Sequence, residues 1–326
     1  MIVMFKQLRL KEYLGTLFVI ITLNFFLPRV MPGDPFIPPA AEEGYSIGNF
    51  SAKQIAHYKA YYGLDAPLFR QYLTYLYKLA RGDLGYSLYY KSSVTDLIAA
   101  RFPWTALLVL TALLFSSLLG TWLGCLSAWR RAGPSDKVLY FLMLVLSEIP
   151  SFLVGILLLF IFAAKLDWFP LSGGISPFIR FESLFMKGGD ILLHAALPVI
   201  TLTLAGMGDF YLLARNSMLT VLTKDYMRTA RAKGLPAKRM IFRHALTNAL
   251  PPIVTRFFLS LGAVFGGAIL IETVFDYPGL GRLMREAVLV RDYILLQGIF
   301  LFITLAVLTA NLFADMICKK LDPRVM

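Results

Sequence analysis

The chain has 326 residues, 58% of them hydrophobic and 16% charged, with a mean hydropathy of +0.66. A water-soluble domain carries about 25% charged residues, so this composition excludes one and places the chain in a bilayer. The net charge of +12 requires no nucleic-acid partner, because the positive-inside bias alone makes an inner-membrane protein basic.

Six apolar stretches follow one another: Leu14 to Val30, Trp104 to Ala128, Val138 to Ala164, Ile191 to Ala214, Ile253 to Ile271 and Ile294 to Ile317. At 1.5 Å per helical residue each is long enough to cross about 30 Å of hydrocarbon. Backbone amides inside lipid must be bonded within their own segment, and the ten-residue alternation of a membrane barrel is absent from the sequence. The expected class is therefore all-α, a polytopic membrane protein with six transmembrane helices. The first stretch runs into "PRVMPGDP" without a small-x-small cleavage pattern, so it reads as an uncleaved anchor.

Four regions result: residues 1–30 with the first span, an outside segment 31–103, a membrane core 104–317, and a tail 318–326. In the outside segment Tyr72, Leu73, Tyr75, Leu76 and Leu79 recur at helical spacing, which predicts a short amphipathic helix ending before Gly82. Two roles are open to it: tyrosines at headgroup level, or a lid that meets an external partner.

Lys and Arg in the short loops set the orientation. The N-terminus, 129–137, 215–249 and the C-terminal tail hold seventeen, whereas 165–190 and 273–293 hold six. Both termini and the 215–249 loop are expected in the cytoplasm. Cys125 and Cys318 then fall near cytoplasmic ends, where thiols stay reduced, and no disulfide or metal motif is indicated.

Ionisable residues inside spans are functional candidates. Glu148 precedes Pro150, which lacks an amide and kinks helices, so these two are placed along a pathway. Asp209 in "GMGDFY" reads either as a pathway residue or as a structural ion pair with Arg215 or Arg256. The fifth span begins at Pro251 and Pro252, residues suited to a first turn, and carries Gly262, Gly266 and Gly267. Gly262 and Gly266 form a Gly-x-x-x-Gly pair that permits close helix approach or a moving contact.

Between the fourth and fifth spans lies "DYMRTARAKGLPAKRMIFRHALTNALPP". Tyr226 to Lys233 reads as a short helix ended by Gly234; Leu235 and Pro236 then open a second helix through Ile241, Phe242, Ala245 and Leu246. A topogenic charge run or an amphipathic helix on anionic lipid would explain the charge. Neither explains the order of small residue, glycine and hydrophobic turn, which a protein partner approaching the backbone does.

"YMRTARAKGL" followed by "RHALTNALPP" resembles the cytoplasmic EAA loop of permease subunits of bacterial ABC importers, most closely the dipeptide, oligopeptide and nickel branch. There Arg-Thr-Ala, here Arg228, Thr229 and Ala230, replaces Glu-Ala-Ala. The distance from Gly234 to Leu250 and Pro251 exceeds that of the general importer pattern, a departure that points to this branch. "MPGDP", "YGLDAPLFRQY", "RGDLGYS", "RFPWTALL", "IPSF", "ETVFDYPGLGRL", "RDYILLQG" and "LDPRV" are similar to the same branch in the same order.

The resemblance implies a type I ABC importer permease-like fold in a bacterial or archaeal inner membrane, with a coupling loop at 215–250. It also implies that Tyr226, Arg228, Thr229, Ala230, Gly234 and Leu235 meet an ATPase groove. Implied partners are a second homologous permease subunit, two cytoplasmic ATP-binding subunits and an extracytoplasmic solute-binding protein. Peptides or nickel and metal chelates are the implied solutes.

The chain contains no phosphate-binding G-x-x-x-x-G-K-[ST] loop, so ATP hydrolysis is expected on separate chains. His57, His194 and His244 are expected outside, within the fourth span and inside, too far apart for a catalytic or zinc constellation; no cofactor is expected. An ion-coupled secondary transporter would be expected to show paired repeats and broken helices, and the sequence gives neither.

Overall fold

The computed structural model describes residues 2–30, 66–87, 89–131 and 133–321, excluding the side chains of 2–11, 27–30, 263–267 and 317–321. The amphipathic stretch expected within 31–103 is described; 31–65, with His57, and the tail beyond 321 lie outside the described residues. Each of the six expected spans coincides with helix. The first is α1, Ile2–Val30, whose apolar part is Glu12–Phe26. The second is α3, Val94–Trp129, and the fourth is α6, Leu184–Leu222. The sixth lies in α10, Tyr293–Leu321.

The third span is broken rather than kinked. α4, Pro134–Glu148, and α5, Ser151–Leu158, continue into a π-helical stretch, Leu159–Lys165, with a bend of 100° at the break. The cause is local. Proline pushes the residue before it out of the helical region, and Ile149 is extended at φ −77°, ψ 124°. Pro150 then serves as the N-cap of α5.

The fifth span corrects a sequence expectation. Pro251 and Pro252 do not open it; they lie inside α8, Leu246–Val274. One turn, Ala237–Arg239, and a π-helical stretch, Met240–Ala245, feed directly into that helix. The expected second loop helix is thus the start of the span. Two prolines are tolerated there because the carbonyls they leave unbonded, those of Thr247 and Asn248, belong to exposed residues near the helix start.

By contacts the chain divides into two compact units, residues 1–103 with 282–308, and 104–281 with 309–326. In the first, α1 meets the amphipathic helix α2, Leu68–Ala80. The Tyr72 and Thr22 hydroxyls lie 2.7 Å apart, and the buried Phe25 ring meets those of Tyr72 and Tyr75 at 5.1 and 5.6 Å. The tyrosines therefore face the first span. A two-residue antiparallel pair, β1 Tyr86–Ser87 and β2 Ser92–Ser93, follows. Ser87 Oγ donates to Asp292 Oδ2 at 2.5 Å, and Tyr90 Oη to Glu286 Oε2 at 2.6 Å. Glu286 belongs to α9, Leu280–Leu289, where Arg282 Nε donates to it at 2.8 Å. Burial raises the Glu286 pKa, but the bonds from Tyr90 and Arg282 outweigh burial and hold the carboxyl below its ordinary value.

The second unit is built around α6. A Cβ on Gly120 or Gly124 of α3 would lie 2.6 Å from the Met207 or Tyr211 carbonyl oxygen, so these glycines let the backbones touch. A Cβ on Gly208 would come within 2.8 Å of Ser147 in α4. The Gly-x-x-x-Gly spacing of Gly120 and Gly124 escaped the sequence reading, which singled out Gly262 and Gly266. Gly262 is half-buried, and the surroundings of Gly266 lie outside the described side chains.

Candidate functional site

Between α6 and α8 the chain forms α7, Asp225–Ala232. Gly234 closes it at φ +69°, a left-handed conformation open to glycine without steric cost. The Gly234 amide donates to the Arg231 carbonyl at 3.0 Å and that of Leu235 to Ala230 at 3.4 Å, satisfying end carbonyls as glycine-closed helices do. Met227 and Ala230 are buried with Met218, Val221, Met240 and Ala245, and Leu235 packs against the same cluster. Tyr226, Arg228 and Thr229 are exposed on the other face. The six residues that the resemblance assigns to docking are thus divided. Ala230 and Leu235 hold the helix to its own protein, and Tyr226, Arg228 and Thr229 present the outer surface. The Arg228–Asp225 pair, 3.5 Å and open to water, contributes little to stability.

The second group sits within the spans. Arg256 Nη2 of α8 donates to Asp209 Oδ2 of α6 at 2.7 Å. Both side chains are about half exposed, 48% and 53%. The pair lies at the loop-side ends of the fourth and fifth spans, where the cost of an ionised group is below the bilayer-centre value and polar surroundings are within reach. Exposed polar residues continue the line at helical spacing: Asn216 on α6 and Asn248 on α8. Glu148, the last residue of α4, is exposed at the break. Its neighbour Ser147 packs on Gly208, the residue before Asp209.

Of the two partners considered for Asp209, the structure selects Arg256. Arg215 instead binds Asp136, Nη2 to Oδ2 and Nε to Oδ1 both at 3.0 Å, in a buried network with Ser127 and Tyr211. Asp136 is 4% exposed. Sequence reading missed it, because an acid in a helix's first turn looks like an ordinary end charge.

Two of the quoted sequence signatures also meet. Glu272, fully buried, accepts from Thr105 Oγ1 and from the Gly281 amide, both at 2.6 Å, and Thr105 Oγ1 accepts from the Leu280 amide at 2.8 Å. "RFPWTALL" and "ETVFDYPGLGRL" are therefore two halves of one closed turn. Apolar space is available elsewhere. A cleft of about 350 Å³ lies between α3 and the start of α8, lined by Leu118, Trp122, Phe242, Leu250 and Phe257 among others.

Helices apolar enough to span, one broken mid-course, and a short helix held on one face and exposed on the other, define a polytopic all-α membrane protein. Residues 120–326 match the family described as binding-protein-dependent transport system inner membrane component, and the chain belongs to that family. It is an inner-membrane permease subunit of an ABC importer, a transport component and not an enzyme. It is 35% identical over 318 residues to the oligopeptide transport system permease protein OppB of Haemophilus influenzae, covering 97% of each chain. The di/tripeptide permease protein DppB of Pseudomonas aeruginosa is 35% identical over 332 residues, again 97% of each. The glutathione permease protein GsiC of Pectobacterium atrosepticum is 35% identical over 317 residues, 97% of each. Among solved structures, an inward-facing MetNI methionine ABC transporter superposes with a TM-score of 0.56 at 16% identity, covering 69% of this chain and 96% of that one. That likeness is one of fold.

Proposed function

We propose that the chain forms half of the translocation pathway of an importer for short peptides. A second homologous permease subunit completes the pathway, two cytoplasmic ATP-binding subunits drive it, and an extracytoplasmic binding protein delivers the solute. The observation that carries this reading is α7: a short helix with Met227 and Ala230 buried and Tyr226, Arg228 and Thr229 exposed, closed by a left-handed glycine. A lipid-adsorbing helix would bury its apolar face in the bilayer, whereas here that face is already covered by protein. The peptide assignment is taken from the curated relatives, each named for oligopeptide, di/tripeptide or glutathione transport.

The chain should be reconstituted in liposomes with its partner permease, ATPases and binding protein, and accumulation of a labelled tripeptide followed. Uptake is expected to require ATP inside the cytoplasmic face, to stop with vanadate and to survive a proton ionophore. Uptake that ignores ATP and collapses with the ionophore would identify an ion-coupled carrier and overturn the proposal.

A further inference from the structure

We infer that Arg256, Asp209 and Glu148 form a station in the pathway that reads the two charged ends of a peptide, Arg256 taking the α-carboxylate and the two acids the α-ammonium. The inference rests on the peptide reading above and adds the residues and the feature of the solute they recognise. Three observations carry it. The Asp209–Arg256 pair is joined through one guanidinium nitrogen at 2.7 Å while both side chains stay half exposed. A guanidinium has five N–H donors in a planar fork suited to a carboxylate, and one is engaged among the described residues, which leaves donors for a solute. Glu148 stands exposed at the broken helix, next in sequence to the residue that packs on Gly208, and it has no ion pair or hydrogen bond among the described residues.

A purely structural pair in a membrane protein is expected to be enclosed, as Asp136 and Arg215 are at 4% and 17% exposure. This pair is open in the single chain, and it lies on faces continued by Asn216 and Asn248. The sum of charges is also informative. Two acids and one base leave one negative charge, so the station favours a free ammonium and disfavours a solute that is only an anion. A zwitterionic peptide can exchange its ends for the internal contact at little electrostatic loss, since each charge released finds an opposite one.

The test uses the full reconstituted complex and three labelled forms of one tripeptide, free, C-terminally amidated and N-acetylated, each at saturating binding protein. Uptake is normalised to inserted complex, and each altered form is expressed relative to the free form, so that the binding protein's own preference cancels between variants. Arg256→Gln is expected to raise the amidated-to-free ratio at least tenfold, and Glu148→Gln combined with Asp209→Asn the acetylated-to-free ratio by a similar factor. Arg256→Lys, which keeps the charge and loses the fork, should assemble normally and lower free-peptide uptake several-fold.

Ratios within twofold of native, or an altered peptide undetected in every variant, overturn the station. Equal loss of all three forms together with loss of the second permease on purification also overturns it and makes the pair an interface contact. A native complex that hydrolyses ATP yet moves none of the three forms overturns the peptide reading itself.

Discussion

At the scale of single residues, the polar groups fall into enclosed and open sets. Glu272 is enclosed, and its partner Thr105 both donates to the carboxylate and accepts from Leu280. Thr105→Val keeps the shape and deletes both bonds, so a loss of about 1.5 to 3 kcal/mol is expected from the bond to a charged group. Thermal unfolding of the detergent-solubilised chain measures it, and an unchanged midpoint would show that the turn is held by packing alone. Glu286 is in the half-buried class. Its carboxyl is held below the ordinary value of 4.5. A group with a lowered folded pKa contributes stability above its unfolded value and loses it as pH falls through the folded one. The excess protection of the amides at 89–93 from hydrogen exchange in the native chain over Glu286→Gln should therefore be full above pH 4.5 and shrink as the pH falls below it. The sequence displayed Glu148 and Asp209 because charges stand out against apolar spans. It concealed Asp136, Glu272 and the choice of Arg256 over Arg215, because each depends on which helix faces which.

At the scale of elements, backbone contact and a glycine-closed turn matter most. Gly120 and Gly124 press α3 against the Met207 and Tyr211 carbonyls. Gly124→Leu should cost about 1 to 3 kcal/mol by overpacking, seen as a lower yield of monodisperse protein, while Gly15→Leu, in open space on α1, should leave the yield alone. Gly234 presents a different case, since a Cβ there meets nothing within 4 Å and only the backbone conformation demands glycine. Gly234→Val should insert normally but lose most co-purified ATPase, whereas Gly234→Asn, a residue that tolerates the left-handed region, should keep much of it. Full assembly with valine would remove the docking role from α7. The loop helix and its terminating glycine were legible from spacing and turn chemistry. The start of α8 was not, because proline near a helix start reads equally well as its first turn or as a tolerated interruption. Which loop residues face inward was also hidden: small residues at helical spacing suit a docking face and a buried face alike.

For the whole molecule, the six apolar stretches were legible because membrane thickness dictates their length. The orientation is a prediction of the basic residues, seventeen in four loops and ends against six in two. A single cysteine placed at Lys238 in a chain lacking Cys125 and Cys318 should react with an impermeant maleimide only after the membrane is opened. One at Arg180 should react in intact cells, and the reverse pattern would invert the topology. The division into two compact units, in which 282–308 joins the first 103 residues, was not legible, since no composition change marks it.

From Ala237 to Val274 the backbone is helical without interruption, and α7 is clamped to its near end through Met240, Ile241 and Ala245. Mechanically this is a lever with its handle outside the apolar layer. At about 1.5 Å per residue Arg256 stands roughly 28 Å along it, so a tilt of about 10° at the handle would carry that guanidinium about 5 Å sideways. The ion pair is 2.7 Å long. A swing of the loop that moves α8 relative to α6 is therefore expected to part Arg256 from Asp209, at the ends of the fourth and fifth spans that adjoin the loop.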